Sequence, residues 1–163
     1  MKRIGLLSDT HAYLHPDLPR IFGQCDEIWH AGDFGHMGVV DGLAAICTLR
    51  GVHGNIDGQD IRHLHPEILR FQCEQLDVLM MHIGGYPGNY SPKALSHIRT
   101  TRPRLFIAGH SHILKIQYDK RHSLLYINPG AAGRSGFHKA ITMVRFVVDG
   151  ERVKDLEVVE FPR

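Results

Sequence analysis

Apolar positions in this chain come in short runs, and most runs stop at a glycine or another small residue followed by a polar group. Lys2 to Leu7, Asp26 to His30, Thr48 to His53, Leu76 to Met81 and the apolar run within Arg104 to Ala108 have the length and boundaries of buried strands. Leu18 to Phe22 (closed by Gly23), Val39 to Ile46 (Val40, Leu43 and Ala44 on one face) and Ser91-Pro92 through about Thr100 predict helices. The last begins with a serine cap and a proline at its first position. Glu67 to Cys73 folds back on Leu76 to Met81 about Glu74-Gln75. Ile113 to Tyr118 with Ser123 to Ile127, and Ala140 to Val148 with Arg152 to Val159, predict two more hairpins, turning at Lys120-Arg121 and Asp149-Gly150. Gly84 to Gly88 reads as a loop and Asn128-Pro129-Gly130 as a turn. Strands alternating with helices in the first two thirds, then hairpins, predict an α/β (α+β) fold.

Each early strand ends beside groups that can bind a metal. Asp9 and His11 follow the first, Asp33 follows Ala31-Gly32, Asn55 follows Gly54, His82 follows Met81, and His110 and His112 follow Gly109. Singly, these have plainer readings: Ser8 or Asp9 as a helix cap, Gly54-Asn55-Ile56-Asp57 as a turn, His110 and His112 as a polar loop. Jointly they point one way, because sites in α/β sheets form beyond the carboxyl ends of strands. A sheet that aligns these strands gathers all seven groups at one edge.

Two ions with four protein ligands each need eight donor slots, and seven residues supply them if one carboxylate bridges. Asp33, alone on its loop, is the natural bridge. Two ions roughly 4 Å apart can hold a hydroxide between them and clamp a phosphoryl oxygen. An oxygen and nitrogen donor set without thiolate suits manganese, iron, zinc or similar borderline divalent ions better than a soft metal, and among these manganese is the expected pair, with zinc, iron, nickel or magnesium as substitutes.

Composition narrows the remaining choices. The 163 residues suit one domain, 1–163, and the hydrophobic (43%) and charged (22%) fractions are those of a globular chain. A net charge of +2 without a clustered basic stripe gives no clear nucleic-acid surface. Thirteen histidines are many for this length and favour a site. Cys25, Cys47 and Cys73 are odd in number and widely spaced, so neither a disulfide framework nor a thiolate zinc site is expected, and a reducing cytoplasm is the default. The apolar run after Met1-Lys2-Arg3 is too short for a signal peptide, and no stretch is long enough to span a membrane. A homo-oligomer remains open.

The ordered set Asp9-x-His11, Gly32-Asp33, Gly54-Asn55, His82 and Gly109-His110-Ser111-His112 resembles the calcineurin-like metallophosphoesterase superfamily. The short length and Asn128-Pro129-Gly130 are similar to its small single-domain YfcE-like phosphodiesterase branch, which shares its fold with a retromer scaffold subunit. The resemblance implies a four-layer α-β-β-α sandwich with two mixed sheets. It also implies Asp9, His11 and His112 on one metal, Asn55, His82 and His110 on the other, and Asp33 shared. Activity would be hydrolysis of a phosphate ester, most naturally a phosphodiester, by a metal-bridging hydroxide. A non-catalytic protein-interaction scaffold on the same fold is the alternative. Three positions depart from the family pattern. Ile56 stands where larger members carry a leaving-group histidine, Ile83 replaces the glycine after His82, and Ala131 replaces a frequent serine.

His36, on a glycine-flanked loop past Asp33, is a candidate for substrate contact or for the acid that Ile56 cannot be, or else a solvated loop residue. Arg134 is a candidate for holding a phosphate oxygen, or a surface arginine. Asp57 either orients a ligand histidine or serves the turn. His30 reads as a packed or supporting histidine, and Tyr86, Pro87 and Asn89 as one wall of a cleft.

Overall fold

In a computed structural model that describes every residue from Met1 to Arg163, the strands pair into two five-stranded mixed sheets. In chain order the first half runs β1 (Lys2–Leu7), α1 (Leu18–Phe22), β2 (Glu27–His30), α2 (Met37–Ala44), β3 (Thr48–Gly51), α3 (Gln59–Leu64), β4 (Ile68–Cys73) and β5 (Leu76–Met81). The second half runs β6 (Gly85–Tyr86), β7 (Asn89–Tyr90), α4 (Pro92–Thr101), β8 (Leu105–Ile107), β9 (Leu114–Asp119), β10 (Leu124–Pro129), β11 (Ala140–Asp149) and β12 (Arg152–Pro162).

The first sheet has the order β12-β11-β1-β2-β3 and the second β4-β5-β8-β10-β9. β1, β2 and β3 are parallel in the first, and β5, β8 and β10 in the second. The other pairs are antiparallel, including the predicted hairpins β4–β5, β9–β10 and β11–β12. Alternation sets the layers. Ile4, Leu6, Trp29, Val78, Met80, Leu105, Ile107 and Phe146 meet between the sheets as the central core. Leu7, Ile28, Phe22, Val40, Leu43 and Ile61 pack under α1–α3 on the outer face of the first sheet. Leu79, Phe106, Ala94, Ile98 and Tyr126 pack under α4 on the second. This is the four-layer α-β-β-α sandwich that the resemblance implied. Trp29 anchors the central core, edge-on to Phe71 and Phe146, while its indole N–H donates to buried Glu27 at 2.8 Å.

Several elements depart from the sequence reading. Gln59–Leu64 is a helix, although its Gly-Gln-Asp start carries no capping side chain. Asn128 and Pro129 are the last residues of β10, paired with Lys115 and Leu114, and only Gly130 (φ +75°) turns. The expected loop at Gly84–Gly88 contains half of a small hairpin, β6–β7. Ser8 caps nothing, because the first helix begins at Leu18.

Candidate metal centre

The six parallel strands all end at the same edge, three from each sheet. The loops after β1, β2 and β3 carry Asp9 and His11, Asp33, and Asn55; those after β5 and β8 carry His82, and His110 and His112. Two groups form there. Ligand atoms of Asp9, His11 and His112 lie within 4.8 Å of one another, as do those of Asp33, His82 and His110. Each group contains an edge-to-face imidazole pair with ring centroids 5.2 Å apart, His11–His112 and His82–His110.

Asp33 stands between the groups. Its Oδ2 lies 3.3 Å from His11 Nε2 and 3.2 Å from His82 Nε2. Its Oδ1 accepts from the Ile56 amide at 3.1 Å. One oxygen, not two, therefore faces both groups. Asp9 is divided similarly. Its Oδ2 accepts from Ser8 Oγ (2.6 Å) and from the His110 amide (3.0 Å). Its Oδ1 faces three imidazoles: His112 Nε2 at 3.2 Å, His11 at 3.7 Å and His82 at 3.8 Å.

The imidazoles are turned by what holds their other nitrogen. His82 Nδ1–H donates to the Ala31 carbonyl at 2.8 Å, so Nε2 presents a lone pair to the carboxylates. His138 Nε2–H donates to the Gly133 carbonyl at 2.7 Å, which leaves its Nδ1 to accept from His112 Nδ1–H at 3.2 Å. His112 thus also presents Nε2. Buried Asp9 Oδ1, His11 Nε2 and His82 Nε2 have no hydrogen-bond partner. Unsatisfied buried polar atoms are rare, and three converging on one point, carboxylate against imidazole lone pairs, fit a divalent cation among them. The donor chemistry passes the same test: oxygen and nitrogen, no thiolate.

Electrostatics point the same way. Burial alone would raise the Asp9 carboxyl, but the imidazoles of His11, His112 and His82 around it and the Ser8 hydroxyl hold it far below the usual range. Burial pulls His82 down, yet Asp33 and Asp9 outweigh it and raise it. His11 is raised chiefly by Asp9. A field that draws protons onto imidazoles also draws a cation into their place.

Backbone strain concentrates at these residues. Asp9, His11, Asp33, His110 and His112 all have left-handed φ, between +46° and +72°. Such conformations cost about 1–3 kcal/mol each outside glycine and persist where surrounding contacts over-determine them. Gly109 itself is not left-handed; the turn falls at His110 (φ +72°). Glycine is needed at 109 for space, since a Cβ there would collide with Ser8 Oγ and stand 2.9 Å from Asp9 Oδ2. Asn128 braces the same loop, donating to Gly109 O and Ser111 Oγ at 3.1 Å.

The other sequence candidates fall variously. Asp57 orients no histidine. Its carboxylate accepts from the amides of Asp33, Phe34, Gly35 and Gly54 at 2.8–3.2 Å, fixing the Asp33 loop. His36 caps α2 through Nδ1, which accepts from Gly38 N at 2.9 Å, and is exposed. Arg134 is exposed and lies over the Tyr13 ring, 4.1 Å to the centroid. Asn55, exposed, lines an open cavity of about 580 Å³ with His82, His53, Arg62 and Lys93. His30 is packed: stacked on Phe34, it donates through Nε2 to Thr10 Oγ1 at 3.0 Å, and burial lowers it to about 3. Sequence reasoning missed His138 and Ser8. The first carries no motif, and the second read as a cap.

Comparison with known proteins agrees with this architecture. Residues 1–151 match the family described as the calcineurin-like phosphoesterase superfamily domain. No curated protein matches the sequence. Among solved structures, a novel archaeal phosphodiesterase is similar at TM-score 0.74 and 20% identity, over 96% of this chain and 99% of its own. Vps29 from Chaetomium thermophilum is similar at TM-score 0.77 and 14% identity over both whole chains. Vps29 from Entamoeba histolytica, complexed with Zn²⁺, is similar at TM-score 0.72 and 14% identity over 98% of each.

Proposed function

Since the chain belongs to the calcineurin-like phosphoesterase superfamily, we propose that it is a dinuclear metal-dependent phosphoesterase, a phosphodiesterase by preference, acting as one unit over residues 1–163 in the cytoplasm. The observation that carries this reading is Asp33 Oδ2, held between the two groups and 3.2–3.3 Å from an imidazole of each. On this reading Asp9, His11 and His112 hold one divalent ion, Asn55, His82 and His110 the other, and Asp33 both. Manganese is preferred, with zinc, iron, nickel or magnesium as substitutes. When bound, such a pair supplies Lewis-acid charge to a phosphoryl oxygen and acidifies a water for in-line attack.

The chain's own residues do the rest. Hydrogen bonds to the outer atoms of Asp9, Asp33, His82 and His112 fix which oxygen or nitrogen faces inward, so little reorganisation remains when charge develops. The cavity of about 580 Å³ beside His82 and Asn55 receives the ester. Arg134, whose guanidinium lies over the Tyr13 ring, is assigned on this reading to a phosphate oxygen. His36 keeps Nε2 free while Nδ1 caps α2, and is assigned as acid or substrate contact. Exposed Ile56 cannot protonate a leaving group, which favours esters with good leaving groups. Turnover of bis(p-nitrophenyl) phosphate with Mn²⁺, lost on chelation and restored by Mn²⁺, is the expected result. Absence of metal-dependent turnover across a panel of mono- and diesters would reject the hydrolase.

A scaffold is the second reading. Leu114, Ile116 and Tyr118 are exposed along edge strand β9, with exposed Ile113 just ahead of it. An apolar row beside an unpaired strand edge is a protein-docking surface in kind. No turnover together with stoichiometric capture of a protein partner on that edge would support it.

A further inference from the structure

The second sheet has another end. Arg99 in the last turn of α4, Arg102 at its C-cap, Arg104 just ahead of β8, and Arg121 and His122 in the β9–β10 turn line one cavity of about 520 Å³. β8 and β10 are parallel and start here, whereas the candidate metal centre lies past the carboxyl end of β8. The two sites therefore sit at opposite edges of the sheet.

No carboxylate lines this cavity. The acid in the same turn, Asp119, is saturated: it accepts from Tyr90 Oη (2.7 Å), His122 Nδ1 (2.9 Å), and the amides of Arg121 (2.9 Å) and His122 (3.3 Å). Glu151 comes no nearer than 4.0 Å to Arg104, with both side chains more than half exposed, an arrangement that contributes little. Without these four arginines the net charge would fall from +2 to −2, so the cavity concentrates the chain's excess positive charge. Its frame is firm. The Asp119 network sets the turn, and Arg104 is tied to the sheet through its amide to Asp77 O and its carbonyl to Leu125 N, both at 2.9 Å.

We propose that this cavity binds a small anion with two or more linked phosphoryl groups. Guanidinium forks match phosphoryl oxygens in pairs, and the charge of the four arginines lining the cavity is better matched by linked phosphoryl groups than by a single phosphate. No Phe, Tyr or Trp lines the cavity, and its one aromatic ring, the His122 imidazole, is tied to Asp119, so it lacks the run of stacking rings of a single-stranded nucleic-acid groove. The proposal is independent of the hydrolase reading.

The test is calorimetric titration of the full chain in chelator, using tripolyphosphate, ATP and orthophosphate. One tripolyphosphate per chain is expected, bound at least tenfold tighter than orthophosphate. The Arg99→Gln/Arg121→Gln double variant, with unchanged Tm, should lose tenfold or more, while Asp33→Asn should bind as before. ATP tighter than tripolyphosphate would identify a nucleotide as the source, and the reverse an inorganic chain. Binding that survives the double variant, or disappears in Asp33→Asn, overturns the site. So does preference for an oligouridylate over tripolyphosphate.

Discussion

His112 donates its Nδ1 hydrogen to Nδ1 of His138, 3.2 Å away, and His138 in turn is anchored on the Gly133 carbonyl. This relay does for His112 what a carboxylate or carbonyl commonly does for a metal-binding imidazole: it fixes tautomer and ring orientation. His138→Ala should weaken one of two bound Mn²⁺ ions by roughly 10–100-fold, leaving the other unchanged. Calorimetry would resolve the two events, and ¹⁵N chemical shifts of His112 would report loss of the Nδ1–H tautomer. Equal weakening of both ions, with the tautomer intact, would show that His138 only fills space.

Asp57 gathers four amides from two loops, those of Asp33, Phe34, Gly35 and Gly54. Buried donors left unpaired cost about 1–3 kcal/mol each, with partial relief by water. Asp57→Ala should destabilise the chain by roughly 3 kcal/mol or more, seen as a lower urea midpoint. Asp57→Asn should lose less, because its carbonyl oxygen still accepts. If both variants unfold at the wild-type midpoint, the carboxylate does not tie the loops together.

Asp33 Oδ2 lies within 3.3 Å of an imidazole of each group, His11 and His82, nearer to both than Asp9 Oδ1, which stands 3.8 Å from His82. Removing its charge should act on two ions at once. Asp33→Asn is expected to bring metal content, measured by elemental analysis, from two ions per chain to one or none. Asp9→Asn should spare the ion held by His82 and His110. One ion per wild-type chain would reject the bridge.

Much of this was readable in advance, for a physical reason. Parallel strands of one sheet end at one edge, so Asp9, Asp33 and Asn55 gather at the edge of the first sheet and His82 and His110 at that of the second, and the stacking of the two sheets brings the two edges together. What sequence could not show depends on side-chain geometry. Asp57 looks like turn chemistry beside Gly58 because three of its four partners lie 22–24 residues away on another loop. His138, 26 residues from His112, sits in no motif. The arginines of the second cavity are scattered from 99 to 121 and become neighbours only through the α4–β8 turn and the β9–β10 hairpin. Helix α3 was missed because its start lacks a cap.

Glu27 carries the clearest pH dependence away from the candidate site. Burial would raise its carboxyl, but Arg50 Nε (2.8 Å), Trp29 Nε1 (2.8 Å) and Lys2 Nζ (3.0 Å) outweigh burial and bring it from 4.5 to about 2. A depressed carboxylate stabilises the fold above its unfolded value and loses that contribution as pH falls toward its folded value. The wild type should therefore lose roughly 2–3 kcal/mol from this group between about pH 5 and pH 2, allowing for screening at half-exposed Lys2 and Arg50. Glu27→Gln should be less stable near neutrality, and the gap to wild type should close across that window. Urea titrations of both proteins at pH 7, 5, 4 and 3 would show it. A gap that stays constant with pH would mean Glu27 acts through packing against Trp29, not through its charge.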